Sequence, residues 1–405
     1  APQEPDLCWY AFRFTRADGS TVCYGRSGWC GQDALARWQL TVYEDTPTPA
    51  WFGQGVTYQI FPDRFRRTSV PDVGGMVGRR WVHDNWSDQP VFLPDEQGQI
   101  TNRDFFGGSL AGITEKLDYL KSLSVSTIYL NPIFEADSNH RYNTADYHAI
   151  DPMLGSEEDF RTLCREAHAR GIHIILDGVF NHTGSNSRYF NAEGFYPEPG
   201  AAQSTESPYF SWYSFHPWPT DYDAWWGVHT LPAVNEEQPD YRRFIISGVE
   251  RTPEDKGQRA AYRLSPAELA RGQKKLRLAA MLLYSFPGSP TLYYGDEAGM
   301  QGFEDPLNRG TYPWGGEDGS LLAFFRRLGQ LRAERISMQC GIIRYLHAQG
   351  GGLVVERLHG TERTVTALNA GDTPLELTLP WDGRLCIDAV TGQQFLSQNG
   401  TVHLT

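Results

Sequence analysis

An α/β body between two all-β segments is the fold this sequence predicts, and three patterns predict it. From residue 55 onward, short apolar strand runs alternate with amphipathic helical stretches, and strands separated by helices pair in parallel. Residues 1–43 carry a two-residue period instead, the mark of a half-buried strand. That period returns beyond about residue 340. Length agrees, since 405 residues at about 150 per domain hold two or three domains. The expected division is an N-terminal β-sandwich remnant over 1–48, an α/β body over 49–338 and a C-terminal β-sandwich over 339–405.

In the first segment Tyr10, Phe12 and Phe14 fall on one strand face, and Trp38, Leu40 and Val42 repeat the pattern after a turn signal at Asp18-Gly19. Thr46-Pro47-Thr48-Pro49 reads as a stiff linker. Val56 to Phe61 is the first strand of the body. A long loop precedes a helix over 112–123, whose Ile113, Leu117, Leu120 and Leu123 form one apolar stripe. Val125 to Leu130 is the second strand. Ser156 with Asp159 three residues on is a capping box, and Gly171 closes the helix it opens. The strand Ile172 to Leu176 follows directly. Residues 183–230 are aromatic, proline-rich loop. One helix starts near Pro239-Asp240. Another starts at Ser265-Pro266-Ala267-Glu268, with Ser as N-cap, Pro at N1 and Glu at N3, and runs to about Tyr284. Thr291 to Tyr294 is the last strand of the body, and Ser320 to Arg335 is an amphipathic helix. Beyond it Leu375, Leu377 and Leu379 alternate with Glu376 and Thr378.

The net charge of −13 argues against nucleic acid or a membrane surface as a partner, because both call for a basic face. No apolar run reaches the ~18 residues of a membrane-spanning helix. The start, Ala1 to Asp6, is polar and does not read as a signal peptide, so a cytoplasmic location is expected; it lacks an initiator Met, which points to a native N-terminus upstream of Ala1. Aromatic residues make 13% of the chain, which suits stacking on sugar faces and equally suits an aromatic core. The six cysteines, at 8, 23, 30, 164, 340 and 386, show no zinc spacing. Cys23 and Cys30 stand close enough in sequence to pair, but free thiols are expected.

Polar motifs follow each apolar strand of the body. They are Tyr58-Gln59-Ile60-Phe61-Pro62-Asp63-Arg64-Phe65; Asn131-Pro132-Ile133-Phe134 with Ser138-Asn139-His140-Arg141-Tyr142-Asn143-Thr144-Ala145-Asp146-Tyr147; Asp177-Gly178-Val179-Phe180-Asn181-His182; and Gly288-Ser289-Pro290-Thr291-Leu292-Tyr293-Tyr294-Gly295-Asp296-Glu297. In a TIM barrel the strand C-termini are where active sites are built. Together these motifs resemble the α-amylase family, glycoside hydrolase family 13, and within it the neopullulanase-like members. Asp177 to His182 resembles the family's first conserved region, and Leu231-Pro232-Ala233-Val234-Asn235 its fifth. The resemblance covers most of the chain. It implies TIM (β/α)₈ barrel ancestry, with barrel strands one, two, three and eight recognisable and small β domains before and after.

The resemblance also implies roles. His140 and Tyr142 would contact the sugar at the cleavage point, Tyr142 by stacking. His182 would bond the same sugar's hydroxyls, although a strand-end histidine held by a neighbour reads the same way. Asp177 matches a position that supports the site from beneath. Asp305 and Arg309 resemble a pair that holds the non-reducing side of the substrate, with a solvated loop ion pair as the alternative. The implied partners are α-glucan oligosaccharides: maltodextrin, pullulan or cyclodextrin. Asn181 matches a calcium ligand of many α-amylases, yet neopullulanase-like members often lack that ion. Arg66-Arg67-Thr68-Ser69-Val70 carries no Asn/Asp cluster, and Ser109 stands where calcium-binding members often have Asp. Calcium needs several oxygen ligands, so no metal and no other cofactor is expected.

The family's chemistry is retaining hydrolysis, with a carboxylate nucleophile and a carboxylic acid about 5–5.5 Å apart. None of the three acids the resemblance calls for is found. The R-x-D match is Arg16-Ala17-Asp18, a turn of the N-terminal segment, and the H-D match is His83-Asp84, in the loop after strand one among Trp81 and Trp86. Every acid between 183 and 288 sits in loop or helix context. Four more barrel units would need on the order of 120 residues, and 38 lie from Arg251 to Gly288. An internal deletion near Val249–Thr252 is therefore expected, leaving strands four to seven out. The edges of a four-stranded remnant would be unpaired, which predicts poor solubility or a homodimer. Three functions stay open: an α-glucan hydrolase relative inactive for want of its catalytic segment, a non-catalytic descendant that binds glucan or a partner protein, and a transferase relative sharing the same site.

Overall fold

A four-stranded parallel sheet organises the body of the chain. The computed structural model describes residues 6–404 except 27, 32–34, 43–48, 50, 72–79, 97, 99, 180, 181, 208, 211, 212, 214, 231–261, 303–305, 350, 372–374, 379–384, 389, 391–393 and 397–400. The chain divides into two units, Ala1–Ala50 and Trp51–Thr405. In the first, β1 (Asp6–Tyr10), β2 (Phe12–Thr15), β3 (Thr21–Gly25), β4 (Gly28–Cys30) and β5 (Trp38–Val42) make two antiparallel sheets. β1 pairs with β5, and β2, β3 and β4 lie side by side in order. The expected turn at Asp18-Gly19 closes β2 onto β3. Gly19 takes the left-handed φ of +80°, and the Asp18 carboxylate accepts the Ser20 N–H at 2.8 Å. Tyr10, Phe12 and Phe14 join Tyr24, Trp29 and Trp38 in one run of ring contacts with centroids 5.0 to 6.5 Å apart. Cys23 and Cys30 face each other across β3 and β4 and are free thiols.

The second unit opens with β6 (Val56–Ile60), the short α1 (Pro62–Phe65), β7 (Trp81–Val82) and β8 (Asp104–Phe105). The stretch expected as one helix over 112–123 is two, α2 (Leu110–Glu115) and α3 (Leu117–Ser122). Ser109 caps the first by accepting the Gly112 N–H, and Lys116, at ψ 7°, leaves the helical conformation between them. The apolar stripe survives the break, with Ile113, Leu117, Leu120 and Leu123 fully buried. Next come β9 (Val125–Leu130), β10 (Phe134–Ala136), β11 (Thr144–Ile150), α4 (Glu157–Ala169) with its Ser156/Asp159 capping box, and β12 (His173–Leu176). Farther on lie α5 (Pro266–Ser285), capped by Ser265 and Glu268 as expected, β13 (Thr291–Tyr293), α6 (Gly319–Glu334) and α7 (Ile336–Cys340). α6 starts one residue before the expected Ser320 because Asp318 is its cap, accepting the Ser320 and Leu321 N–H groups. α6 also packs closely on the turn before β9: a Cβ on Gly329 would stand 2.3 Å from the Leu123 carbonyl oxygen.

The sheet runs β12-β9-β6-β13, all parallel. Register places Ile174, Ile128, Tyr58 and Leu292 in one row across it. Tyr58, Ile128 and Leu292 belong to the main core with Leu117 and Leu120 of α3, Leu163 of α4 and Phe325 of α6. The next row, Ile175, Tyr129, Gln59 and Tyr293, points to the opposite face, because side chains alternate along a strand. Among the described strands neither β12 nor β13 has a further neighbour. The effect shows in burial: β6 and β9 are mostly buried, whereas β12 is half-buried through Ile175 and exposed at Leu176.

Beyond the body, β14 (Ile342–Gln349), β15 (Gly352–His359) and β16 (Glu362–Asn369) form an antiparallel sheet. β17 (Leu375–Thr378) pairs with β20 (Thr401–Leu404), and β18 (Leu385–Ile387) with β19 (Gln394–Leu396). The buried Arg357 ties this region to α5 by donating to the carbonyls of Ser285 at 2.8 Å and Gly341 at 2.8 and 3.0 Å. The expected helix near Pro239, the Leu231–Asn235 motif, the 249–252 junction, Leu379 and most of the 46–49 linker lie outside the described residues. No helix among the described residues is long and apolar enough to cross a membrane.

Candidate active site

Because β6, β9 and β12 are parallel neighbours, their C-terminal ends deliver side chains to one place. Gln59 is the polar residue of a buried run and lies on the face away from the helical core. Its Nε2 donates to Asn131 Oδ1 at 3.0 Å, and Asn131 Nδ2 donates to the Tyr142 hydroxyl at 3.2 Å. That hydroxyl donates in turn to Asp177 Oδ2 at 2.9 Å. The Tyr129 hydroxyl bonds Asp177 as well. One carboxylate thus accepts from two phenols. Burial, with the Asp177 charge beside them, pushes both phenols well above the ordinary tyrosine range, so they stay protonated donors. Asp177 itself is placed by its N–H, which donates to the Leu130 carbonyl at 3.1 Å.

His140 sits buried in the loop between β10 and β11. Its Nδ1 accepts the Tyr142 backbone N–H at 3.1 Å, and its ring lies 5.9 Å from that of Tyr142. Burial first, then the charges of Arg309 and Arg141, hold its pKa well below the ordinary histidine value, so it is neutral at pH 7. His182 donates from Nε2 to the Tyr142 carbonyl at 3.1 Å, and burial lowers its pKa too. Its ring rests 5.6 Å from that of Trp225, in the turn Trp225–Gly227. Arg309 closes the group. Its guanidinium stands 5.3 Å over Phe61, and its carbonyl accepts from Arg64 Nη1 at 2.9 Å. His140, Tyr142, Asp177, His182 and Arg309 are therefore brought together, while Asp305 and Asn181 lie outside the described residues.

Gln59, Tyr129, Asn131 and Trp225 were not singled out from the sequence. For Gln59 a signal existed: a lone amide within the apolar run Val56 to Ile60, one residue before its end. The His83-Asp84 match and Glu297 lie elsewhere. His83 is packed, its ring 4.1 Å from Phe106 and 4.4 Å from Trp81, with Asp104 and Asp88 oxygens at 3.3 and 3.4 Å. Glu297 lies on the core side of the sheet, where its Oε1 accepts from Tyr58, Tyr119 and Tyr312 at 2.6, 2.8 and 2.9 Å. Asp177 is the carboxylate on which the Tyr129 and Tyr142 hydroxyls converge. No group of three or more His, Cys, Asp or Glu side chains among them is placed to hold a metal ion. Neutral imidazoles, phenols and a carboxylate side by side suit hydroxyl recognition. Retaining hydrolysis needs a second carboxyl group opposite the first.

The α-amylase catalytic-domain family model matches residues 59–243. An amylopullulanase of Thermoanaerobacterium saccharolyticum is 28% identical over an alignment of 577 positions that takes in 98% of this chain and 45% of that protein. The chain thus spans less than half the length of that relative. Neopullulanase 2 of Thermoactinomyces vulgaris is 26% identical over 517 positions, covering 98% of this chain and 84% of that protein. The cyclic α-maltosyl-(1→6)-maltose hydrolase of Arthrobacter globiformis, solved with its namesake sugar, superposes with a TM-score of 0.60 at 26% identity, covering 82% of this chain and 94% of that one. This chain belongs to the α-amylase family of glycoside hydrolases and is related to its neopullulanases, maltogenic amylases, cyclomaltodextrinases and amylopullulanases. An alignment of 517 positions exceeds the 405 residues of the chain, so at least 112 of its positions face a gap here.

Proposed function

We propose that this chain descends from a retaining α-glucan hydrolase, keeps one wall of the glucan site, and is catalytically inactive. In this reading β6, β9, β12 and β13 are barrel strands one, two, three and eight. Strands four to seven, with the nucleophile, the acid/base and the third carboxylate, are missing near Val249–Thr252. The observation that carries it is a site in which two phenols, Tyr129 and Tyr142, converge on Asp177 at the end of β12, the last strand of the sheet among the described residues. The total of at least 112 alignment positions that face gaps in this chain also supports it, since four βα units take on the order of 120 residues. Tyr142 offers its ring to the sugar face, His140 and His182 bond its hydroxyls, and Arg309 with Asp305 holds the non-reducing side. An intact relative would cleave α-1,4 and α-1,6 links of maltodextrin, pullulan or cyclodextrin by double displacement, or transfer the glycosyl group from the same site. The open edges further predict self-association as a dimer, or poor solubility.

Titration calorimetry with maltotriose tests the binding half of this reading. The folded chain is expected to bind, and Tyr142→Ala to weaken binding at least about tenfold, the equivalent of 1.4 kcal/mol of lost stacking and hydrogen bonding. A folded chain that does not bind maltotriose contradicts it. Sequencing the encoding DNA across codons 250–251 separates the two origins. In-frame codons for the missing units there restore the hydrolase, whereas a continuous coding sequence leaves a non-catalytic descendant that binds glucan or a partner.

A further inference from the structure

His140 is presented to the site by a turn with an unusual residue in it. Arg141 has φ +60°, a left-handed conformation that a side chain disfavours and that persists where surrounding structure over-determines it. Its own side chain holds it there. Arg141 is fully buried, its Nε donating to Asp151 Oδ2 at 2.7 Å and its Nη1 to the Asn139 carbonyl at 2.8 Å. The other Asp151 oxygen accepts from Arg80 Nη1 at 3.1 Å and from the Met153 N–H at 3.0 Å. Both guanidinium groups stand 5.3 Å from the Phe105 ring centre. Asp151 is pinned in turn by its N–H on the Ile133 carbonyl at 2.9 Å.

The left-handed turn has a chemical consequence. It swings the Tyr142 N–H back onto Nδ1 of His140 at 3.1 Å. A backbone N–H can only donate, so that nitrogen must offer a lone pair. Ser138 Oγ, also 3.1 Å from Nδ1, gives its one hydrogen to Asn143 Oδ1 and accepts the Arg141 N–H at 3.3 Å, so the Tyr142 N–H is the donor that Nδ1 receives. We infer that the buried Arg141–Asp151 pair sets the tautomer of His140, placing its hydrogen on Nε2, the nitrogen turned away from the loop. Arg141 and Asp151 are then positioning residues: they decide that His140 meets a ligand as a donor. That the ligand is a glucan rests on the reading above, but the tautomer is a property of the free chain.

Long-range nitrogen–proton NMR of the full chain tests this, with the His140 signals assigned by their loss in His140→Gln. The wild type is expected to show a neutral Nε2–H imidazole. Arg141→Lys is expected to move the pattern toward Nδ1–H or an average of the two, and to weaken maltotriose binding about tenfold. Arg141→Ala, which keeps the steric cost of a positive φ but has no guanidinium to hold it, is expected to do the same and covers the case in which the lysine variant does not fold. Arg80→Lys disturbs the same buried carboxylate and is expected to lower stability while leaving the tautomer alone. An Nδ1–H tautomer in the wild type overturns the inference. So does an unchanged Nε2–H pattern in the folded Arg141 variants, or an equal shift in Arg80→Lys. A wild type with the expected tautomer and its loss in the Arg141 variants, but no maltotriose binding, supports the lock and removes the glucan reading.

Discussion

Replacing Glu297 by leucine is expected to lower the unfolding free energy by about 3–5 kcal/mol, read from the urea midpoint. The side chain is completely buried, and its Oε1 accepts from three tyrosine hydroxyls at 2.6, 2.8 and 2.9 Å. Leucine would fill the space and leave Tyr58, Tyr119 and Tyr312 to satisfy one another. The Tyr119 and Tyr312 hydroxyls already share a short bond, which leaves the Tyr58 hydroxyl without an acceptor. Each stranded buried hydroxyl costs about 1–3 kcal/mol. The site joins β6, α3 and the segment after β13, so the loss falls on the packing of the whole sheet. Glu297→Gln isolates the charge. Burial holds the Glu297 carboxyl above its ordinary value, although the hydrogen bonds from the tyrosines pull it back. A raised carboxyl pKa means that the folded chain holds the proton more tightly than the unfolded one. The stability from this group is therefore complete below the ordinary glutamate value and is lost as pH rises through the raised one. Wild type is expected to lose stability relative to Glu297→Gln as pH rises from about 4. A difference that stays flat with pH would contradict the assignment.

Arg332→Leu is the second large effect, also about 3–5 kcal/mol. This arginine of α6 is fully buried and makes no ion pair with a carboxylate among the described residues. It donates to the carbonyls of Tyr284 at 2.9 Å, Phe286 at 3.2 Å and Gly53 at 2.9 Å, and to that of Gly288. Four chain segments meet there: the end of α5, the lead into β13, the lead into β6, and α6 itself. Buried carbonyls without donors are costly, and the positive group at the C-terminus of α5 also answers its dipole. Burial, and then the charge of Arg357, push its pKa down to about 10, which still leaves it charged at neutral pH. Arg332→Lys is expected to recover little, because one ammonium cannot span the four acceptors. A urea midpoint within error of wild type for Arg332→Leu would show that these carbonyls find other donors.

Much of the frame was legible because it rests on local chemistry. The boxes at Ser156 and Ser265 cap their helices within three residues, and β6 and β9 show as apolar runs because parallel strands are covered on both faces. The five described candidates, His140, Tyr142, Asp177, His182 and Arg309, were named through motifs that resemble the family's, four of them near strand ends and Arg309 in the loop beyond β13. The break at Lys116 was not, since an apolar stripe continues through two short helices as readily as through one. The deeper partnerships were also hidden. Glu297 meets Tyr58 across 239 positions, and Arg332 meets Gly53 across 279. Such pairs exist only once sheet order and helix layer are set. Arg141 was quoted within a motif, yet its left-handed turn shows in no pattern, because arginine carries no signal for it.

The most direct measurement is release of the chromophore from a chromogenic maltoside by the purified, folded chain. No release above buffer is expected, since retaining hydrolysis needs a pair of carboxyl groups across the scissile bond and in the proposed reading that pair belongs to the missing strands. Turnover by the wild type that disappears in Asp177→Asn, or in a variant of any acid between Glu193 and Glu268, would show that this chain carries a working catalytic pair and would contradict the loss of its catalytic segment.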